Sequence, residues 1–194
     1  MGSNESWLRF MELTAPFHDR AARTARHLCR SPEDGDDLFQ EALVRAHGKL
    51  HTLRDESRFR SWFFAVLLSV HRGRLKRSFW RRFLSLEQEA QRGLDPAGED
   101  GRGWEEERLR ADRVSRALET LPAVQREAVV LFELEDFSIE EIADLQGASI
   151  PAVKSRLSRG RARLRSFYEN PARAENPSTA RKRRDRPLRE GEAP

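Results

Sequence analysis

The chain has one cysteine, Cys29, among 194 residues. A lone thiol can neither close an internal disulfide nor build a multi-thiolate metal site, so a reducing compartment is expected, and the sequence reads as cytoplasmic. Long apolar runs are also missing. The longest, Trp62 to Leu68, falls far short of the ~20 residues that cross a bilayer, and Glu5, Arg9 and Glu12 interrupt the N-terminus. With only 38% hydrophobic and 35% charged residues, a large single-core enzyme is excluded and two small helical units are favoured, so the fold class is all-α. Catalytic equipment is absent as well: there is no phosphate loop, no metal-ligand spacing and no nucleophile beside a base. His27 and Cys29 point to different sides of a helix and cannot clamp one ion, while His18, His47, His51 and His71 are isolated. No enzyme activity, cofactor or metal is expected.

What the chain does have is charge sorted by sign. The net charge of +4 conceals an acidic stretch from Ser85 to Glu107, with eight acids (Glu87, Glu89, Asp95, Glu99, Asp100, Glu105, Glu106, Glu107) against Arg92 and Arg102. Glycines at 93, 98, 101 and 103 with Pro96 speak against helix there, so residues 84–108 are expected to be a flexible acidic linker. On either side lie two blocks without an acid, His71 to Arg82 and Ile150 to Arg165, and the first carries Phe79 and Trp80. A merely solvated helix face mixes signs; one-sign blocks with aromatics point to a nucleic acid. Residues 170–194, with Arg181 to Arg184 among prolines, read as a basic disordered tail that adds salt-dependent affinity for DNA.

In the front half, Ser31-Pro32 followed by Glu33, Asp34, Asp36 and Asp37 is a helix start: a capping hydroxyl, proline at the first position and acids at the positive dipole end. The helix is predicted to run to about Lys49, with Leu38, Phe39, Ala42, Leu43 and Ala46 on the core side. Asp37, Gln40, Glu41, Val44 and Gly48 fall on the other side. An outward valine among carboxylates and amides is not what solvation alone asks for. After a loop over 51–56, Ser57 is expected to cap a helix that buries Phe59, Trp62, Phe63, Val66, Leu67 and Val70 and continues into the first basic block.

The run Asp36-Asp37-Leu38-Phe39-Gln40-Glu41-Ala42, then Phe59-Arg60-Ser61-Trp62-Phe63 and the basic helix, closely resembles region 2 of the bacterial sigma-70 family, especially the short extracytoplasmic-function (group 4) members. The resemblance implies that Asp37, Gln40, Glu41 and Val44 dock on the β′ clamp helices of core RNA polymerase, and that the following loop and helix bind and open the minus-10 promoter element. Opening a duplex without ATP requires capture of an extruded base and a grip on the single strand, to offset a few kcal/mol of unstacking. The loop 51–58 offers donors and acceptors for a base edge; Arg54, Arg58, Arg60, Ser69, Arg72, Arg74, Lys76 and Arg77 are the candidate minus-10 residues. Trp62, in register with Phe59 and Val66, reads as core.

In the back half, Val114, Leu118 and Leu121 mark one helix face, Pro122 opens the next helix, and Val124, Ala128, Leu131 and Leu134 its buried side. Ser138-Ile139-Glu140-Glu141 is a capping box flanked by Phe137 and Ile142 in staple positions, Gly147 permits a left-handed turn, and Ser149 caps a second helix with Pro151 in its first turn. This is a helix-turn-helix. Val153, Leu157, Gly160 and Leu164 form the inner stripe of its second helix, with Gly160 expected to allow close approach to the first. Leu121-Pro122, Arg126-Glu127, Ser138 to Ala143 and Val153 to Leu157 closely resemble sigma region 4. The resemblance makes this unit the reader of the minus-35 element, through Ala152, Lys154, Ser155, Arg156 and Arg159, and implies contact with the polymerase β flap.

The expected organisation is therefore region 2 over 1–83, linker 84–108, region 4 over 109–169 and tail 170–194. The implied function is a transcription initiation factor that binds core RNA polymerase and directs it to promoters by minus-10 melting and minus-35 recognition. An anti-sigma protein is a possible further partner. The alternative, a helix-turn-helix repressor or activator, would have no use for the docking face around Asp37, Gln40 and Glu41.

Overall fold

A computed structural model describes the backbone of residues 3–84 and 102–170. Among the described residues eight α-helices follow one another: α1 (Ser3–Thr14), α2 (His18–Leu28), α3 (Pro32–Lys49), α4 (Phe59–Leu84), α5 (Arg102–Glu119), α6 (Ala123–Glu133), α7 (Ile139–Gln146) and α8 (Ile150–Glu169). Residues 85–101 of the expected linker and 171–194 of the expected tail lie outside the described residues. Residues 102–108, expected to be linker, are instead the first turns of α5. A single glycine at 103 costs a helix only ~1 kcal/mol, and the Glu- and Arg-rich run that follows is a strong helix former.

The helix starts obey their local chemistry. Ser31 accepts a hydrogen bond from the Asp34 amide and opens α3 with Pro32 behind it. The Ser138 hydroxyl and the Glu141 carboxylate form the reciprocal capping box of α7. That helix ends at Gly147 in the left-handed region, φ +57°, and Ser149 caps α8. One start differs from expectation: α4 begins at Phe59 after a 3-10 turn over Glu56–Arg58, and the cap is Asp55, whose carboxylate accepts from both the Ser57 amide and its hydroxyl. A single carboxylate oxygen, Asp55 Oδ1, takes both donors, so the Ser57 hydroxyl is used as a donor to the cap rather than as the cap.

α1 to α4 form the front unit around an aromatic cluster in which Phe10, Phe59, Phe63 and Phe64 are essentially inaccessible. Each such ring contributes roughly 1.5–3 kcal/mol of burial. α3 turns Leu38, Phe39, Ala42 and Ala46 inward as its periodicity requires, with Leu43 half-buried. It crosses α2 so closely at Gly35 that a Cβ there would stand 2.4 Å from the Arg26 Cα.

α5 to α8 form the back unit. Leu118 and Leu121 are buried, whereas Val114, Val124 and Leu134 are 38%, 47% and 38% exposed, so the inward side of α6 keeps the expected Ala128 and Leu131 but not Val124 or Leu134. It is centred on Ala128, Val129, Val130 and Leu131 and includes Gln125, Arg126 and Glu127. Gly160 of α8 meets α6 rather than α7: a Cβ on it would lie 2.7 Å from Val129 Cγ2.

The reason for the rotated α6 is that it faces two neighbours. α6 packs on α2 as well as on α8, and α7 packs on α4. Helix α4 is accordingly buried on both sides: Phe59, Phe63, Val66, Leu67 and Val70 as expected, and also Phe64, Leu68 and His71. The two units share one continuous core.

Candidate nucleic-acid interface

The outward side of α3 carries exposed Asp37 and Gln40, with Val44 71% exposed on an otherwise well-packed helix. Glu41, on the same side, is partly covered. Its carboxylate accepts from Arg74 Nε at 2.8 Å and from Arg45 Nη2 at 2.8 Å, with Arg77 at 3.9 Å. The hydrogen bond from Arg74 holds the Glu41 carboxyl below the usual carboxylate range. Arg74 also donates to the Asp34 and Asp37 carbonyls at 3.2 and 2.9 Å, so it fastens α4 to the first turns of α3 and fixes the orientation of the Asp37–Val44 face.

Beside that face opens a cleft of about 490 Å³ between the end of α3, the 50–52 turn and the middle of α4. Arg45, Lys49, His51, Thr52, Trp62 and Ser69 line it, with Ala65 and Val66. Trp62 is half-buried, its ring 5.7 Å from Phe59 on one side and open to the cleft on the other, so it is not simply core. A half-open indole ringed by cations and hydroxyls can stack a planar base and hydrogen-bond its edge. Arg45 and Lys49 were not singled out in the sequence. Their spacing of four along α3, pointing toward the 51–58 loop, is the signal that could have found them.

The other candidate minus-10 residues divide into two groups. Arg54, Arg58, Ser69, Lys76 and Arg77 are exposed. Arg60 and Arg72 instead turn toward the back unit. Arg60 Nη2 lies 3.1 Å from Glu135 Oε2 and its guanidinium stands over the Phe137 ring at 4.3 Å. Arg72 Nη2 donates to Glu127 Oε2 at 2.9 Å and to the Leu145 carbonyl at 3.1 Å. Neither Glu127, though it belongs to the Arg126-Glu127 pair of the region 4 resemblance, nor Glu135 is marked by the local sequence as an acid paired across the fold. Yet they are 1% and 0% exposed.

On α8, Lys154 and Arg159 are exposed without an ion pair among the described residues, and Ala152, Ser155 and Arg156 are half-buried. Arg156 Nη1 donates to Gln146 Oε1 at 2.6 Å, which ties α8 to the end of α7. Val153, Leu157 and Gly160 are buried beneath them. The result is a helix with a locked inner stripe and a cationic outer surface, of the size that enters a major groove.

Two helical units in series, the second a helix-turn-helix and the first a bundle with a polar docking face, define a two-part DNA-binding protein built to work against another surface. The sequence places it in a family. Residues 13–82 match Sigma-70 region 2 and residues 111–164 match Sigma-70, region 4. The chain is 32% identical over 155 residues to the ECF RNA polymerase sigma factor SigM of Mycobacterium tuberculosis, covering 80% of this chain and 74% of that one. It is 33% identical over 165 residues to the RNA polymerase sigma-E factor of Streptomyces avermitilis, covering 84% and 87%. Among solved structures, CnrH in complex with the cytosolic domain of CnrY matches with a TM-score of 0.60 at 26% identity, over 86% of this chain and 94% of that one. RpoE of Bartonella quintana, solved with the anti-sigma factor NepR, shares the fold with a TM-score of 0.63. The chain belongs to the sigma-70 family, in its extracytoplasmic-function group. It is a promoter-directing initiation factor of RNA polymerase rather than a plain helix-turn-helix repressor. No helix among the described residues is long and apolar enough to cross a membrane.

Proposed function

We propose that α3 is the polymerase-docking helix, with Asp37, Gln40 and Val44 making the contact and Glu41 holding the face in register through Arg74. The carrying observation is Val44: it is 71% exposed in the middle of a helix whose other apolar residues are buried or half-buried. A valine ringed by a carboxylate and an amide suits a partner helix pair, such as the β′ clamp helices, better than it suits water. The β flap, the second contact named by the family resemblance, falls to region 4.

With polymerase docked there, the neighbouring cleft takes an unpaired base of the minus-10 element. Trp62 supplies a stacking surface, while His51, Thr52 and Ser69 offer edge contacts. Arg45, Lys49, Arg54, Arg58, Lys76 and Arg77 hold phosphates, joined by Arg60, Arg72 and Arg74 where their present partners release them. Base capture and strand neutralisation together offset the unstacking cost, so strand opening needs no catalysed step and the chain acts as a binding factor, not an enzyme. α8 reads the minus-35 element with Lys154, Ser155 and Arg159, while Arg156 braces α8 against α7 and reaches the backbone beside it. The work is done in the cytoplasm, where polymerase and chromosome are. The structural relatives CnrH and RpoE were solved with CnrY and with the anti-sigma factor NepR, which supports an anti-sigma protein as a further partner of this chain.

The test is a double variant, Asp37→Lys with Gln40→Lys, in the full chain. Both positions are exposed, so helicity and thermal midpoint should hold while binding to core polymerase and run-off transcription are lost. Core affinity equal to that of the unaltered chain would remove α3 as the docking helix.

A further inference from the structure

Helix α1 has little hold on the core. Of its large apolar side chains only Phe10 is fully buried, while Trp7, Leu8 and Met11 are 40% or more exposed and Leu13 is half-buried. Its polar contacts are directed instead at the segment between α3 and α4. The Arg9 guanidinium forks onto Glu56: Nε donates to Oε1 at 3.1 Å and Nη2 pairs with Oε2. The remaining nitrogen, Nη1, donates to Glu12 Oε2 at 3.0 Å one turn along α1, which sets the plane of the fork.

At the other end of the same segment α1 meets His47, in the last turn of α3. The Trp7 ring stands edge-on to the His47 ring at 4.7 Å, Phe10 lies 5.7 Å from it, and Ser6 Oγ is 3.4 Å from His47 Nε2. The His47 carbonyl in turn accepts from the Leu50 amide, where the 50–52 turn begins. Phe10 also packs edge-on against Phe59, the first residue of α4, at 5.8 Å. One helix therefore grips both stems of the segment. Between the stems the bonds are local: Thr52 Oγ1 donates to the Lys49 carbonyl at 2.7 Å, the Leu53 amide to the Leu50 carbonyl at 3.0 Å, and Asp55 caps Ser57. Among the described residues, Glu56 is the one side chain of 51–58 that hydrogen-bonds to a helix other than the two this segment joins.

Exposed ion pairs usually contribute little, but a bidentate fork whose third nitrogen is also bonded is the geometry in which they matter. A loop that accepts a base loses conformational freedom in doing so. One already held at both stems loses less, and the base is bound correspondingly better. We propose that Arg9 is a positioning residue for promoter opening: through Glu56, with Trp7 and Phe10 against His47, it makes α1 a brace that holds residues 51–58 in the shape that receives an unpaired minus-10 base. The inference rests on the preceding reading that this segment and the cleft beside it take the base.

Holoenzyme assembled from core polymerase and the full chain provides the test, on a promoter fragment selected by run-off transcription, with opening read from permanganate reactivity of the unpaired thymines. The Arg9 and Glu56 side chains are both exposed, so the fold should survive their removal. Arg9→Ala and Glu56→Ala should each slow opening ~5- to 10-fold, with core affinity and helical circular dichroism unchanged, and amide hydrogen exchange over 51–58 should be at least ~5-fold faster in both. The sign of the second variant separates bracing from charge, because removing an acid beside DNA strengthens binding if charge alone matters. The exchange Arg9→Glu/Glu56→Arg should restore both opening and amide protection. Normal opening in Arg9→Ala overturns the brace, as does impaired opening there beside improved opening in Glu56→Ala, which would make Arg9 a phosphate contact. A loss that appears only together with loss of helix or of core binding overturns it too. Trp62→Ala tells the two readings apart. Impaired opening in Trp62→Ala beside normal opening in Arg9→Ala overturns the brace alone; normal opening in Trp62→Ala counts against the cleft as the base site, with amide exchange in Arg9→Ala still deciding whether α1 holds the loop.

Discussion

Gly35 is the position where a single methyl group should cost most for its size. An added Cβ would stand 2.4 Å from the Arg26 Cα, 2.8 Å from its amide nitrogen and 2.9 Å from its Cγ, whereas carbon atoms at rest keep ~3.5–4.0 Å apart. Two of the three obstacles are backbone, so no rotamer change relieves them and α3 must retreat from α2 by about 1 Å. Overpacking of this kind costs ~1–3 kcal/mol, and the upper end applies where nothing can yield. Replacing glycine by alanine in a helix returns ~1 kcal/mol. Gly35→Ala should therefore lose ~2 kcal/mol net, which at a urea dependence of ~2 kcal/mol/M lowers the unfolding midpoint by ~1 M. Gly48, on the same helix, has nothing within 4 Å of the equivalent Cβ, so Gly48→Ala should gain up to ~1 kcal/mol and raise the midpoint. Equilibrium urea unfolding followed by far-UV circular dichroism compares the pair. Opposite shifts are required; a Gly35→Ala midpoint equal to or above the unaltered one would refute the close crossing. Because Asp37 lies two residues beyond Gly35, the same variant should also weaken core polymerase binding.

Two further outcomes follow from the structure. His71 is buried on α4, and desolvation, only partly opposed by nearby Glu127, pushes its pKa below the ordinary histidine value. The unfolded chain therefore takes up the proton first: stability should be level above about pH 6.5 and fall as the pH drops below it, and His71→Gln should flatten that slope in thermal melts from about pH 7 to about pH 5. An unchanged slope would assign the acid sensitivity elsewhere, with His27, whose pKa burial also lowers, as the next residue to replace. Arg159→Ala should weaken binding to a minus-35 duplex by ~1–3 kcal/mol and leave a scrambled duplex less affected; equal loss on both would make Arg159 a phosphate contact.

Much of the site could be read directly from the residues. The caps at Ser31, Ser138 and Ser149, the left-handed Gly147 and the inward stripes of α3 and α8 are local features, and each is present as spaced. The outward set Asp37, Gln40 and Val44 follows from the same periodicity. Other features depend on what lies across from a residue. Asp55 rather than Ser57 caps the turn before α4 because its carboxylate reaches two donors at once. Trp62 has Phe59 on one side but only a cleft on the other. Val124 and Leu134 are partly exposed because α6 must satisfy α2 and α8 together.

The sequence by itself determined the helices, the caps at Ser31, Ser138 and Ser149, the sorting of charge and the family, since these follow from neighbours within about four positions and from spacing along one chain, whereas the starts of α4 and α5 differ from it. Only the tertiary structure decided that Gly35 is a crossing point, that Gly160 meets α6 rather than α7, that Glu127 and Glu135 are buried, and that Arg60 and Arg72 are already engaged. The physical reason is that burial of a charge is a property of two surfaces at once. Thr24 and Glu135 are 111 positions apart and yet share a hydrogen bond, and no local pattern encodes such a meeting.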